Sequence, residues 1–248
     1  MKKGTIMAVI AVLLVTQVML SSCRKTETTG AKPSPEAHQN EMLKRSFEGS
    51  KKVIAAKVNG ETITEFLVVR EMNALAPQYL ADGRQAKPEF NEKIRRDALN
   101  ILITQELAVQ EARKRGMKVT PETIDREIKK VKTETGSEEA FQAYLDKNGL
   151  TEQELRKLIE QDALFEMIAT QEVDAKITVT DAALRARYKR EKAGLKDAAH
   201  RQMTFEAAKG LLEQKIRDEA AEKKMREWEK ELRKNARIEI LEQTRPQG

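Results

Sequence analysis

The chain has 248 residues, a formal net charge of +6, and a composition that is 35% charged but only 4% aromatic. Its basic residues are interspersed with acidic ones and form no basic stripe with stacking aromatic residues, which argues against nucleic-acid binding. The single cysteine excludes an internal disulfide, and the high charge with few aromatics favours extended helices over a compact barrel.

The first residues have the layout of an export signal. A positively charged start precedes an apolar run over residues 6–20. This run is shorter than the ~20 residues that span a membrane and suits the apolar region of a secretory signal. Residues 20–23, Leu-Ser-Ser-Cys, resemble the bacterial lipobox, in which a signal peptidase cleaves before the cysteine. The sequence predicts a signal peptide over residues 1–22. The resemblance implies lipidation of Cys23, with diacylglycerol on the sulfur and an acyl chain such as palmitate on the amine.

Two alternatives remain open for this region: a secreted protein with an unmodified cysteine, or an uncleaved membrane anchor. Arg24 follows the predicted lipid site. In Gram-negative lipoproteins an aspartate at that position usually means retention in the inner membrane, so the resemblance implies an outer-membrane lipoprotein that faces the periplasm. Acylation would use the sulfur of Cys23, so we predict neither a cysteine nucleophile nor a thiolate metal site.

Residues 23–50 have the composition of a tether. They lack apolar periodicity and contain two prolines, which predicts a flexible, lipidated linker with at most a short helical turn around Met42-Leu43 and Phe47. A flexible chain of that length has a root-mean-square span of about 30 Å.

Order is predicted to begin with a strand over residues 53–58, followed by a turn at Asn59-Gly60. Near the other end, residues 236–241 alternate as a strand with Ile238 and Ile240 on one face. A lone strand cannot satisfy its backbone groups. We therefore predict that these two segments pair and close the domain as a small sheet.

Helices fill the chain between these strands. Apolar periodicity predicts helices over residues 64–79, 90–115, 121–135, 137–147, 151–175, 180–192 and 205–235, with a loop at 81–88 and with Pro77 as a possible early end of the first helix. Threonines at positions 64, 120, 151 and 180 are predicted N-caps, each between an apolar residue and another at the fourth helical position. Their unequal spacing indicates that they start helices of different length. The alternative is a helical repeat protein, which would need regular spacing.

The order of these motifs carries a family resemblance. "AAKVNGETITEF", "EARKRGMKVTPETIDREI", "LTEQELRKLIEQDALFEMI" and "ITVTDAALRARYKR" follow one another as in the N-terminal chaperone domain of SurA-type periplasmic proteins, a family that includes PrsA and PpiD. The resemblance covers residues 53–190. It implies a mainly α fold, a multi-helix SurA-N-like chaperone domain over residues 51–192, which the two predicted strands would close.

The sequence departs from this family after residue 192. Relatives usually continue into a parvulin prolyl-isomerase domain, whereas here residues 193–203 form only a linker before a Phe-led helix and closing strand at 204–248. So short a segment cannot fold into a catalytic domain, so we predict no enzyme activity, no catalytic residues and no cofactor. His38 lies in the tether and His200 in the linker, so no metal site is predicted either.

The resemblance implies an ATP-independent holdase that binds unfolded or extended segments of exported proteins. Four methionines, at positions 72, 117, 167 and 225, either line adaptable binding surfaces or fill the core. The sequence leaves the peptide-binding residues, the clients and the oligomeric state unassigned. Two other functions stay open: an envelope scaffold lipoprotein with one fixed partner, and a peptidyl-prolyl isomerase of the same family.

Overall fold

The computed structural model describes residues 45–80, 88–198 and 200–241. The predicted signal peptide, Cys23, His38 and the tether up to residue 44 lie outside these residues, as does most of the predicted loop at 81–88. The helices are α1 (45–52), α2 (Glu65–Leu80), α3 (Pro88–Lys114), α4 (Pro121–Thr135), α5 (Glu138–Lys147), α6 (Glu152–Glu172), α7 (Asp181–Glu191) and α8 (Phe205–Lys234). The strands are β1 (Ile54–Val58), β2 (Glu61–Thr64) and β3 (Ile238–Ile240). The fold is therefore mainly α with one small sheet, as predicted.

The sheet is antiparallel, with the strand order β2-β1-β3. β1 pairs with β3 in the register Ala56–Ile240, Lys57–Glu239 and Val58–Ile238, which confirms the predicted pairing of the terminal strands. Strand β2 was not predicted. It forms a hairpin with β1 through Asn59 and Gly60, whose positive φ angles of 53° and 97° suit a two-residue turn.

β1 is the central strand, and its burial reflects that position. The pairing with β2 shifts register between Ile54 and Ala56, which marks a bulge at Ala55. Ala55 and Ala56 are consecutive, yet both side chains are fully buried, so the strand does not show the alternating exposure of a sheet with one face in water. The hairpin turn is held against α3, because Gln110 Nε2 donates to the Val58 carbonyl at 3.0 Å.

The chain divides into two compact units, and the division falls within α6 between Phe165 and Glu166. We call the first the sheet unit: the described residues from 45 to 165, together with 235–241. We call the second the helical unit: the described residues from 166 to 234.

Within the sheet unit, α3 supplies fully buried residues on more than one face, as its sequence predicts, among them Ala98, Ile103, Ala108 and Ala112. A second cluster joins α2, α4, α5 and the start of α6. Its buried members are Phe66, Ile128, Val131, Phe141, Leu145, Leu150 and Leu155. α2 continues through Pro77, so that proline does not end the helix.

Within the helical unit, α7 and α8 pack around Leu184, Leu195, Ala208 and Leu212. An ion-pair network joins the same two helices. Arg187 on α7 makes two hydrogen bonds to Glu219 on α8, at 2.6 and 2.7 Å, and also contacts Glu191. Its hydrogen bonds to Glu219 and then to Glu191 raise the pKa of the Arg187 guanidinium, and the pKa values of both carboxylates are lowered.

Helix caps account for most of the boundaries that the sequence predicts. Thr120 and Thr180 accept hydrogen bonds from the backbone N–H three residues later, at 3.4 and 3.2 Å. Thr151 and Glu154 form the reciprocal capping box at the start of α6. Thr64, also a predicted cap, is the last residue of β2. Within the described ranges, no helix is both long and apolar enough to cross a bilayer.

Candidate functional site

Three large apolar side chains are exposed at one end of the sheet. Val53, which precedes β1, is 42% exposed, and Ile240 and Leu241 at the end of β3 are 56% and 39% exposed. They share this end because β1 and β3 run antiparallel. We call these three residues the sheet-end patch. Because side chains alternate along a strand, Ile240 and Leu241 point to opposite faces of β3, so the three residues share one end of the sheet and not one face.

Backbone hydrogen bonds fix the position of this patch. The Leu241 N–H donates to the Ala55 carbonyl at 2.9 Å, and the Asn59 N–H donates to the Arg237 carbonyl at 2.8 Å. The Asn59 side chain adds an acceptor for the Arg237 N–H at 2.8 Å. β3 is therefore held at both ends, and its exposed side chains are presented from an ordered strand.

A second surface feature is the attachment of α1 to the sheet unit. Phe47 lies edge-on to Phe66, with ring centroids 5.8 Å apart and planes at 87°. A Cβ atom on Gly149 would lie 2.5 Å from the Phe47 ring, so the ring fills the space that a side chain at position 149 would need. Residues 45–50, which the sequence analysis assigns to the tether, thus lie in a helix that packs on the core.

An ion pair reinforces this attachment. Lys51 Nζ lies 2.8 Å from Glu154 Oε1 and 5.3 Å from the centre of the Phe66 ring. Burial alone would lower the pKa of Lys51, but hydrogen bonds to Glu154 and Glu48 outweigh it and leave this pKa raised. The Glu154 carboxylate, which also caps α6, has a lowered pKa, because its bonds to Lys51 and Thr151 outweigh the opposing effect of burial.

Charged groups are also half-buried on α2. Burial lowers the pKa of Arg70, although the nearby charge of Asp162 opposes this effect. Burial likewise raises the pKa of Glu71, and it raises the pKa of the Tyr144 hydroxyl. These groups offer charged and hydrogen-bonding contacts. In the described ranges, no group of three or more histidine, cysteine, aspartate or glutamate side chains is arranged to hold a metal ion.

The described residues of the segment at 193–203, which leave out residue 199, form a turn in the helical unit. Leu195 is 5% exposed and belongs to the core, and the Met203 N–H donates to its carbonyl at 2.9 Å. The Tyr188 hydroxyl donates to the Met203 carbonyl at 2.7 Å. Lys196 and Gln202 form an isolated antiparallel β-bridge. His200 is exposed in this turn, with a φ of 58°. The segment therefore joins α7 to α8 by a short hydrogen-bonded path.

The four singled-out methionines are divided between the two units. Met72 and Met117 belong to the sheet unit and Met167 and Met225 to the helical unit. Met167 is 40% exposed, and the other three are half-buried. Sequence reasoning missed the sheet-end patch, because the alternation in "RIEIL" assigns Ile240 to a face of the strand but does not predict its exposure.

Comparison with known proteins places this architecture in a family. The family model described as SurA-like N-terminal domain matches residues 2–169. Two similar curated proteins are each named Chaperone SurA, from Bordetella pertussis and Bordetella bronchiseptica; each is 29% identical over 175 residues, which is 70% of this chain. The chain spans about a third of the length of these relatives, since the match covers 33% of each. The match confirms the resemblance drawn from the motifs, and the chain belongs to the SurA-like N-terminal domain family.

Proposed function

We propose that this protein is a membrane-anchored, ATP-independent chaperone of the bacterial envelope, which holds unfolded exported or outer-membrane proteins. The observation that carries the proposal is the family match over residues 2–169, together with relatives that are named chaperones. The periplasm lacks ATP, so capture and release must depend on weak, reversible contacts.

The sheet-end patch supports this role as a contact surface. Full burial of a large aliphatic side chain stabilises by about 1.5–3 kcal/mol, so covering three partly exposed ones contributes roughly 3 kcal/mol. A contribution of that size corresponds to a dissociation constant in the millimolar range or weaker. Retention of a client therefore needs several such contacts along an extended chain, and a client that folds withdraws its apolar residues and leaves.

Anchoring is the second part of the proposal. Cleavage after residue 22 and acylation of Cys23 would attach the mature chain to the membrane, and Arg24 favours the outer one. Because α1 packs on the core, the free segment would run from Cys23 to residue 45 and not to residue 50. A structureless chain of about 22 residues has a root-mean-square reach of about 26 Å. Clients would then be captured within a few nanometres of the bilayer.

We also propose that the protein acts without catalysis. In the resemblance, a parvulin domain would stand where residues 193–203 lie. The hydrogen-bonded turn and the buried Leu195 support the view that α7 and α8 are joined directly by this short connection. We therefore propose that the helical domain binds clients without catalysing a reaction.

In-cell crosslinking followed by purification of the protein tests this proposal. Many non-native exported proteins in the crosslinked fraction are the expected result. A single stoichiometric partner would instead indicate a scaffold lipoprotein. Clear turnover of a short proline-containing peptide by the purified protein would contradict the non-catalytic assignment and favour an isomerase.

A further inference from the structure

The outer edge of β3 presents unpaired backbone groups. Backbone hydrogen bonds join β3 to β1 at the pairs Asn59–Arg237 and Ala55–Leu241. Hydrogen-bonded and non-hydrogen-bonded pairs alternate along an antiparallel ladder, so Lys57–Glu239 is also a hydrogen-bonded pair. The N–H and C=O groups of Ile238 and Ile240 therefore point away from β1. In the part of the chain that the structure describes, no further strand pairs with this edge.

The side chains on this edge are segregated by face. Arg237 and Glu239 lie on one face, where their side chains form an ion pair at 2.6 Å, and Ile238 and Ile240 lie on the other. Sheet edges are commonly protected by proline, bulges, charged side chains (above all lysine) or very short strands, because an open edge pairs with another chain, and of these devices β3 has its short length and the charges of Arg237 and Glu239. Neither proline nor lysine occurs between residues 236 and 241.

We infer that β3 pairs antiparallel with β3 of a second copy of this chain, about a two-fold axis at Ile238. This inference goes beyond the proposed chaperone function and does not depend on it. In this register Ile238 faces itself, Arg237 faces Glu239 of the second copy, and Ile240 faces Ala236. The two sheets join into one continuous six-stranded sheet.

Charge selects this register among three. The outward groups of Ile238 and Ile240 bond across the edge when the axis lies at residue 238, 239 or 240. An axis at Glu239 sets two carboxylates directly opposite each other, which is unfavourable, and an axis at Ile240 sets Glu239 opposite Leu241. Only the axis at Ile238 forms two Arg237–Glu239 pairs, and it does so at non-hydrogen-bonded positions, where facing side chains are closest.

The dimer is weak because its interface is small. Pairing of two short strands buries less than the ~1,200 Å² of a standard stable interface. We therefore expect a dissociation constant on the order of tens of micromolar, which sedimentation velocity of the full-length chain in density-matched detergent resolves. Dimers that form as the protein concentration rises are the expected result.

Charge variants test the register. Glu239→Arg sets arginines opposite each other twice and is expected to weaken association by about tenfold or more. The double variant Arg237→Glu/Glu239→Arg restores both opposite-charge pairs and is expected to recover association. Thermal melting of each variant separates this effect from loss of the ion pair within one chain.

Two further variants keep the inference testable if the charge changes disturb folding. Ile240→Pro removes only an outward N–H and is expected to give a monomer with β1–β3 pairing intact. In a Cys23→Ser background, Ile238→Cys is expected to crosslink between copies with a short bismaleimide, whereas Lys230→Cys, exposed on α8, and the background variant alone are not. A monomer at all concentrations, or a dimer that Glu239→Arg and Ile240→Pro leave unchanged, would overturn the inference.

Discussion

Replacement of Gly149 by alanine is expected to detach α1 from the sheet unit. Gly149 follows the end of α5 with a φ of +63°, a left-handed conformation that costs an alanine about 1–2 kcal/mol. The new Cβ would also lie 2.5 Å from the Phe47 ring, so the ring must leave its place beside Phe66.

The second effect is the larger one. Loss of the edge-to-face contact costs about 0.5–1.5 kcal/mol, and loss of the partial burial of Phe47 costs about 1–2 kcal/mol more. Gly149→Ala should therefore lower the free energy of unfolding by about 3–5 kcal/mol. Urea denaturation followed by circular dichroism measures this change.

The chain supplies a matched control. Gly136 ends α4 with a φ of +86° and has no neighbouring atom within 4 Å of its would-be Cβ, so Gly136→Ala should show only the backbone cost of about 1–2 kcal/mol. In a Phe47→Ala background, Gly149→Ala should cost no more than this control. Equal costs for the two glycine variants in the unmodified chain would refute the packing of Phe47 against Gly149.

Three other predictions concern a titrating group, a cap and the anchor. A hydrogen bond from Tyr79 lowers the pKa of Asp97, so its contribution to stability is present above the ordinary value of 3.8 and is lost as the pH falls through the lowered pKa. Tyr79→Phe should therefore make the urea midpoint less dependent on pH between pH 5 and pH 2 (roughly the window of a lowered aspartate pKa). An unchanged pH profile would contradict the role of the Tyr79 hydrogen bond. Thr180→Ala removes the cap of α7 and should cost about 1 kcal/mol, whereas Thr178→Ala, exposed and outside the helix, should be neutral in the same melting assay. Cys23→Ser should abolish labelling by radioactive palmitate and release the protein from the membrane fraction; persistent labelling would rule out this acylation site.

Local sequence signals predicted the elements whose boundaries are set locally. The capping threonines at 120, 151 and 180 start α4, α6 and α7, and the alternation at 236–241 located β3. The pairing of β1 with β3 followed from the need of each strand for a partner, a constraint that acts across the whole chain.

Three features were missed. β2 is only four residues long and three of them are polar, and Thr64 within it has the pattern of a helix cap. The sequence analysis allowed a short helical turn around Phe47 within the tether but did not predict its packing on the core, because its partners, Phe66 and Gly149, lie elsewhere in the chain. The exposure of Ile240 depends on the edge position of β3, which the alternation of the strand does not encode.

The central claim is that the protein holds non-native chains passively, through exposed apolar residues. The most direct test measures light scattering from a chemically unfolded outer-membrane protein diluted into buffer without ATP, with and without the chaperone. The unmodified protein should suppress aggregation at near-stoichiometric ratios. Val53→Ser/Leu241→Ser, which alters the sheet-end patch but leaves residues 237–240 unchanged, should suppress it several-fold less well at an unchanged melting temperature. No suppression by the unmodified protein would contradict the chaperone account. Equal suppression by the variant would show that the sheet-end patch does not bind clients.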